Sequence, residues 1–175
     1  MLRHTLDALI EAAEGYVPLA QELPFGLQGR PPLVLREEGA KALQLRGYID
    51  RVDRAPDGRL RIIDYKAGST AIAGRDLANG RRLQLPLYAL AATEALGAEV
   101  AGGFYWHIGA AKPSSLKLEK FEGGVAGAIE TAVAHAVAIG AAVRDGQFAP
   151  QPPAEGCPAS CPATAFCERY KTRSW

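Results

Sequence analysis

The sequence has little of what marks several common protein classes. It holds three cysteines in 175 residues, and all three fall within residues 157–167. An odd, local set of this kind excludes a disulfide framework spread over the fold. Net charge is nearly absent: 20 Lys and Arg stand against 19 Asp and Glu, a balance of +1. That excludes a chain that coats nucleic acid by bulk charge, but not a local basic groove. The longest apolar stretch, residues 125–143, is mostly Ala and Gly and carries Glu130 and His135, which makes it a poor membrane span. The first residues read as a charged amphipathic helix, not a signal peptide. A cytoplasmic protein without membrane contact is the resulting expectation. Disorder is excluded by 48% hydrophobic against 22% charged residues, and the length suits one domain with a real core.

Helical spacing of Leu2, Leu6, Leu9, Ile10 and Ala13 predicts an opening helix stopped by Gly15. Strands are predicted over 17–27, 33–36, 43–54 and 60–66, with Pro56-Asp57-Gly58 as the turn between the last two. Residues 67–80, with Gly68, Gly74, Asn79 and Gly80, read as a loop. A helix over 82–96 tolerates Pro86 because it falls in the first turn. Strands over 100–108 and 116–121 and a long helix over 125–144 follow. From Gln147 the chain is rich in proline and reads as an irregular tail up to the cysteines. Strands flanked by helices predict an α/β class, one mixed sheet covered on both faces. The expected division is a core over 1–150 and a cysteine-containing tail over 151–175.

The most informative segments are Gly47-Tyr48-Ile49-Asp50 and Ile63-Asp64-Tyr65-Lys66. A three-residue turn with Gly58 in the left-handed position pairs Ala55 with Arg59. The same register sets Asp50 opposite Asp64, with Cβ atoms about 4.5–5.5 Å apart. Alternation puts Lys66 on the same face as Asp64. A slip of one residue would send Asp50 to the other face. The neighbours Ile49, Val52, Ile62 and Ile63 are apolar, and burying two carboxylates among them is unfavourable unless compensated. Lys66 offsets one charge. Mg²⁺ or Mn²⁺, which takes hard oxygen ligands, would offset the other and could acidify a bound water beside a phosphate. A purely structural ion pair uses the same three residues and stands as the alternative on the hairpin alone.

These segments, with Ala67-Gly68 after Lys66 and then Gln84-Leu85-Pro86-Leu87-Tyr88, resemble successive motifs of RecB-like nucleases of the PD-(D/E)XK superfamily. The tail 146–152 followed by Cys157, Cys161 and Cys167 resembles the end of the iron–sulfur branch. That branch includes AddB-type helicase–nuclease subunits and CRISPR adaptation nucleases. The resemblance implies a restriction-endonuclease-like core and a metal-dependent deoxyribonuclease, exonuclease-like, of a DNA repair or recombination helicase–nuclease. It implies Asp50 and Asp64 as metal ligands, Lys66 as the catalytic lysine, and Gln84 and Tyr88 as the glutamine–tyrosine pair on the flanking helix. Glu22 and His4 are further candidates for the metal site. His107 and His135 read as packing or surface residues. A non-catalytic DNA-binding or scaffolding module of the same fold is the alternative.

Thiolates commonly hold iron–sulfur clusters, and a [4Fe–4S] cluster takes four. The three cysteines make an incomplete set, so the resemblance implies a cluster only in a longer chain. Arginines 46, 51, 54, 59 and 61 lie on the hairpin, and Arg75, Arg81 and Arg82 precede the helix of Gln84. Arg at a helix N-terminus opposes the macrodipole, and a docked phosphate resolves the conflict. Arg51, Arg81 and Arg82 are therefore candidate phosphate contacts, with backbone recognition of DNA and no base-reading motif.

Overall fold

The computed structural model describes residues 2–36, 41–68, 70–149, 157, 161–163 and 167. Its elements run α1 (Leu2–Glu11), β1 (Val17–Phe25), β2 (Leu33–Leu35), β3 (Leu43–Leu45), β4 (Gly47–Arg54), β5 (Leu60–Lys66), α2 (Gly74–Ala78), α3 (Gln84–Leu96), β6 (Val100–His107), β7 (Lys112–Lys117), a 3-10 turn (Leu118–Lys120) and α4 (Gly124–Arg144).

The hairpin of β4 and β5 sets the geometry of everything that follows. Ala55 N donates to Arg59 O at 2.8 Å, and Gly58 takes φ +89°. Val52 then faces Ile62 and Asp53 faces Arg61, the register expected from the turn. A Cβ at Gly58 would meet nothing within 4 Å, so replacement there costs conformation alone. Gly58→Ala is expected to lose about 1 kcal/mol. The readout is a fall in Tm of about 2–4 °C.

Five strands form one mixed sheet in the order β1-β4-β5-β6-β7. β5 and β6 are parallel and the other pairs antiparallel. Two parallel neighbours need a crossover, supplied by the segment holding α2 and α3. β-Branched Ile62 and Ile63 alternate, so each face of β5 has its own cover. Ile62 joins Leu60, Val52, Leu85, Ala89 and Ala132 in the larger core. Ile63 joins Leu9 of α1 with Phe104 and Trp106 in the smaller one. Helices therefore flank the sheet on both sides, as an α/β fold requires.

Three expectations are corrected. The strand expected over 43–54 breaks at Arg46, and β3 pairs with β2 in a separate ribbon. The cause is at the break itself, where Phe25 pairs with Gly47 and covers it. The loop expected over 67–80 contains α2, whose Asp76 Oδ2 accepts the Ala73 amide at 2.8 Å. The strand expected over 116–121 begins at Lys112, because a tight turn after His107 starts the pairing at once, and it ends in the 3-10 turn.

Helix α4 is, among the described residues, the one helix long and apolar enough to cross a membrane by length and composition. Its Ala128, Ala132 and Ala136 repeat every fourth residue and lie buried in the larger core. By its internal contacts the chain divides into Met1–Gly140 and Ala141–Trp175. The first unit holds the whole sheet. In the second, Gln147 N closes the end of α4 on Ala142 O, and Cys167 N donates to Ala163 O, each at 2.8 Å. Most of the tail expected over 151–175 lies outside the described residues.

Candidate active site

The ladder between β4 and β5 ends at Arg51 and Ile63. One step further, the Tyr65 amide donates to Asp50 Oδ2 at 2.9 Å. Continued pairing would have sent that amide to a β4 carbonyl. Asp50 thus takes a main-chain donor with its side chain at the point where the two strands part. Asp64 follows on β5 and is 1% exposed. Its Oδ1 has no hydrogen-bond donor among the described residues. Lys66 Nζ lies 2.6 Å from Oδ2, a short charge-assisted contact. Burial pushes the Asp64 carboxyl up from its ordinary value by more than Lys66 draws it down. The Asp50 charge adds to the upward push and Arg82 counters it.

Helix α3 brings the rest. Gln84 is its first residue, and its Oε1 accepts from Lys66 Nζ at 2.9 Å. Its Nε2 donates to the Tyr88 hydroxyl at 2.7 Å, one helical turn on. Tyr88 rests edge-on against Phe25, with ring centroids 5.9 Å apart. Burial raises the Tyr88 hydroxyl above its ordinary value, and the charges of Asp64, Asp50 and Glu22 raise it further. Asp64, Lys66, Gln84 and Tyr88 therefore form one unbroken chain of polar contacts across two elements.

Other candidates fall elsewhere. Arg51 alternates onto the opposite face, so the sheet does not bring it beside the acids. There it forks Asp53 at 2.6 and 3.0 Å and reaches the Tyr65 hydroxyl at 3.3 Å. Asp53 also pairs with Arg61 at 3.2 Å, and Arg59 is taken up by Asp57 in the turn. The arginine-decorated hairpin is thus largely an internal ion network. Sequence reasoning missed Asp53, although the turn register sets it against Arg61; the same ladder stops one step before the expected pairing of Asp50 with Asp64. Arg81 and Arg82 are exposed, with no side-chain partner among the described residues. Arg82 takes φ +57°, and its charge acts on Asp64.

Glu22 lies between Gln21 and Leu23, which pair with Arg51 and Ile49 on either side of Asp50. It is exposed and takes φ +48°. His4 is exposed on α1, whose Leu9 packs on the Ile63 face, away from the acids. His107 is buried, with Nδ1 3.0 Å from Gly68 O. His135 sets Nε2 3.1 Å from Ala78 O. The three cysteines are half-buried free thiols. They fall one short of the four that a [4Fe–4S] cluster takes, so no cluster is assigned to this chain.

The acids fit a hard divalent cation in one way. Among the described residues no group of three His, Cys, Asp or Glu forms a cage. Mg²⁺ needs none, since it is commonly held by one or two carboxylates together with water and substrate phosphate. A buried carboxylate whose Oδ1 has no donor among the described residues, beside a second acid, suits that mode.

Known proteins are similar to this chain over part of its length. The chain is 38% identical over 106 residues to an ATP-dependent helicase/deoxyribonuclease subunit of Symbiobacterium thermophilum, covering 54% of the chain and 9% of the relative. It is 40% identical over 119 residues to the protein of that name from Moorella thermoacetica, covering 61% of the chain and 10% of the relative. The counterpart from Alkaliphilus oremlandii is 42% identical over 77 residues, 42% of the chain and 7% of the relative. The matched segments thus span a tenth or less of those relatives. The family model of the PD-(D/E)XK nuclease superfamily matches residues 1–168, which takes in the hairpin, the acid pair, Lys66 and α3 together, and the chain belongs to that superfamily.

Proposed function

We propose that this chain is a divalent-metal-dependent deoxyribonuclease domain that hydrolyses phosphodiester bonds as an exonuclease, working beside a helicase. The observation that supports it most is the buried Asp64 carboxylate, with Oδ1 unpartnered among the described residues and Oδ2 joined through Lys66 to Gln84 and Tyr88. The helicase and the DNA substrate come from the names of the relatives, which pair a helicase with a deoxyribonuclease.

Asp50 and Asp64 would hold Mg²⁺ or Mn²⁺. When bound, that ion would neutralise phosphate charge and make water a better nucleophile. Lys66 carries a positive charge to the same spot and is held there by Gln84 Oε1. In the reaction it stabilises the charge that builds on the phosphate oxygens as water attacks phosphorus. The P–O bond to the leaving oxygen then breaks; the attacking water gives up a proton to solvent, and the leaving oxygen takes one from solvent. Tyr88 holds the Gln84 amide in the orientation that presents Oε1 to the ammonium. Exposed Arg81 and Arg82 would bind the DNA backbone, which gives little sequence preference.

Linear single-stranded and double-stranded DNA incubated with the protein and Mn²⁺ provides the test. Cleavage that EDTA abolishes, and that Lys66→Ala slows by about 10²–10³-fold, supports the reading. Binding of DNA with no cleavage at any Mg²⁺ or Mn²⁺ concentration overturns it in favour of a non-catalytic module.

A further inference from the structure

We propose that Tyr105 is a positioning residue for cleavage, holding the start of α3 so that Gln84 meets Lys66. The proposal rests on the nuclease reading only for its kinetic part. Tyr105 lies on β6, paired with Asp64 across the parallel ladder, and is fully buried. A buried hydroxyl is unfavourable unless it is bonded. This one makes two bonds, donating to Arg82 O at 2.9 Å and accepting from Leu85 N at 3.2 Å. The two partners flank Gln84 in sequence. Lys66 Nζ stands 5.2 Å from the centre of the same ring. One side chain therefore touches both of the segments whose meeting makes the site.

The helix start needs such a tie. Its N-cap is Leu83, which has no side-chain acceptor, and the first turn carries no acid. Pro86 has no amide to satisfy. The Leu85 amide would be left without a partner, and the Tyr105 oxygen takes the place that a Ser or Asp cap usually fills. Arg82 takes φ +57°, a conformation that a side-chain-bearing residue keeps only when its surroundings hold it. The bond to its carbonyl does so. Phenylalanine would fill the same core space and hold neither end. Burial also raises the Tyr105 hydroxyl far above its ordinary value, so it remains a donor at any working pH.

Tyr105→Phe keeps the ring and removes the tie. It is expected to lower kcat about tenfold, with the KM for DNA changed less than twofold. In a Gln84→Ala background the same change is expected to lower kcat no further, because the two act through one contact. The side-chain amide resonances of Gln84, shifted by its bond to Tyr88, are expected to move toward those of a free amide in Tyr105→Phe. An unchanged kcat, an equal loss in both backgrounds, or unmoved Gln84 resonances overturns the proposal. The resonances need no catalysis, so they decide the positioning even where no DNA is cleaved and the nuclease reading itself has failed. In the unaltered protein the Leu85 amide is expected to exchange with solvent as slowly as the body of α3. Fast exchange there overturns the proposal even if Tyr105→Phe does not fold.

Discussion

Asp64→Asn is expected to abolish cleavage and, in the absence of metal, to raise the melting temperature. Asparagine keeps the shape of the side chain and removes the buried charge. The direction follows from linkage. Burial raises the folded carboxyl above its ordinary value. Such an acid gives stability that is complete below the unfolded value, near 4, and is lost as pH rises through the folded value. At neutral pH the wild-type chain therefore carries a burdened carboxylate that the variant lacks. Lys66 loses its ion pair in the variant, but it keeps the Gln84 contact and is 26% exposed, so solvent meets part of its charge. The two melting temperatures should converge as pH falls toward 4. Saturating Mn²⁺ should reverse their order, because a ligand bound to the native state adds about 2.7 kcal/mol at a hundred times its Kd, and the variant has lost half of the proposed ligand pair. Differential scanning calorimetry across pH 4–8, with EDTA and then with Mn²⁺, reads all three effects. A variant less stable than wild type in EDTA at neutral pH, or equally stabilised by Mn²⁺, would sink the assignment of Asp64 as a buried ligand.

The acid face was legible because a tight turn sets a register, and a register sets faces. Pro56-Asp57-Gly58 set the alternation that gives Asp50, Asp64 and Lys66 a common face, without any knowledge of what covers the sheet, although the ladder parts before the expected Asp50–Asp64 pair. The fates of Arg51 and Arg61 follow from the same register plus one tertiary fact, the seating of α1 on the Ile63 side. Nothing in the local sequence states that fact, so a solvated arginine and one in a buried fork read alike. Tyr105 was harder still. A tyrosine in an apolar strand looks like core, and its two bonds run to a segment about twenty residues upstream. The left-handed backbone at Glu22 has no sequence mark at all, since glutamate rarely adopts it. Sequence therefore carried what alternation and turn chemistry determine, and missed what depends on which helix lands on which face.

The largest loss of stability is expected on that second face, from Asp53→Ala. Asp53 is fully buried and accepts from two guanidinium groups, Arg51 and Arg61. Arg61 is held further by Ala12 O at 3.0 Å and lies 4.2 Å from the centre of the Tyr16 ring. Removing the carboxylate leaves two largely buried positive charges facing each other across one cavity. Breaking a buried ion pair in this way costs about 3–5 kcal/mol, a large share of the roughly 5–15 kcal/mol that holds a domain together. With a urea slope of about 2 kcal/mol/M, the unfolding midpoint should fall by roughly 2 M. Replacing the whole network with apolar residues, in Arg51→Leu, Asp53→Leu and Arg61→Met together, should recover most of that loss, since no charge is then left buried alone. The contrast separates two roles for Arg51. As a member of this network it affects stability, and Arg51→Ala should lower the midpoint while leaving DNA affinity at low salt unchanged. Were it a phosphate contact, the same change would leave the midpoint alone and make DNA binding less sensitive to salt by about one unit of slope. The fork to Asp53 favours the first outcome, because it takes the whole Nε–Nη2 edge of the guanidinium while Nη1 turns to the Tyr65 hydroxyl.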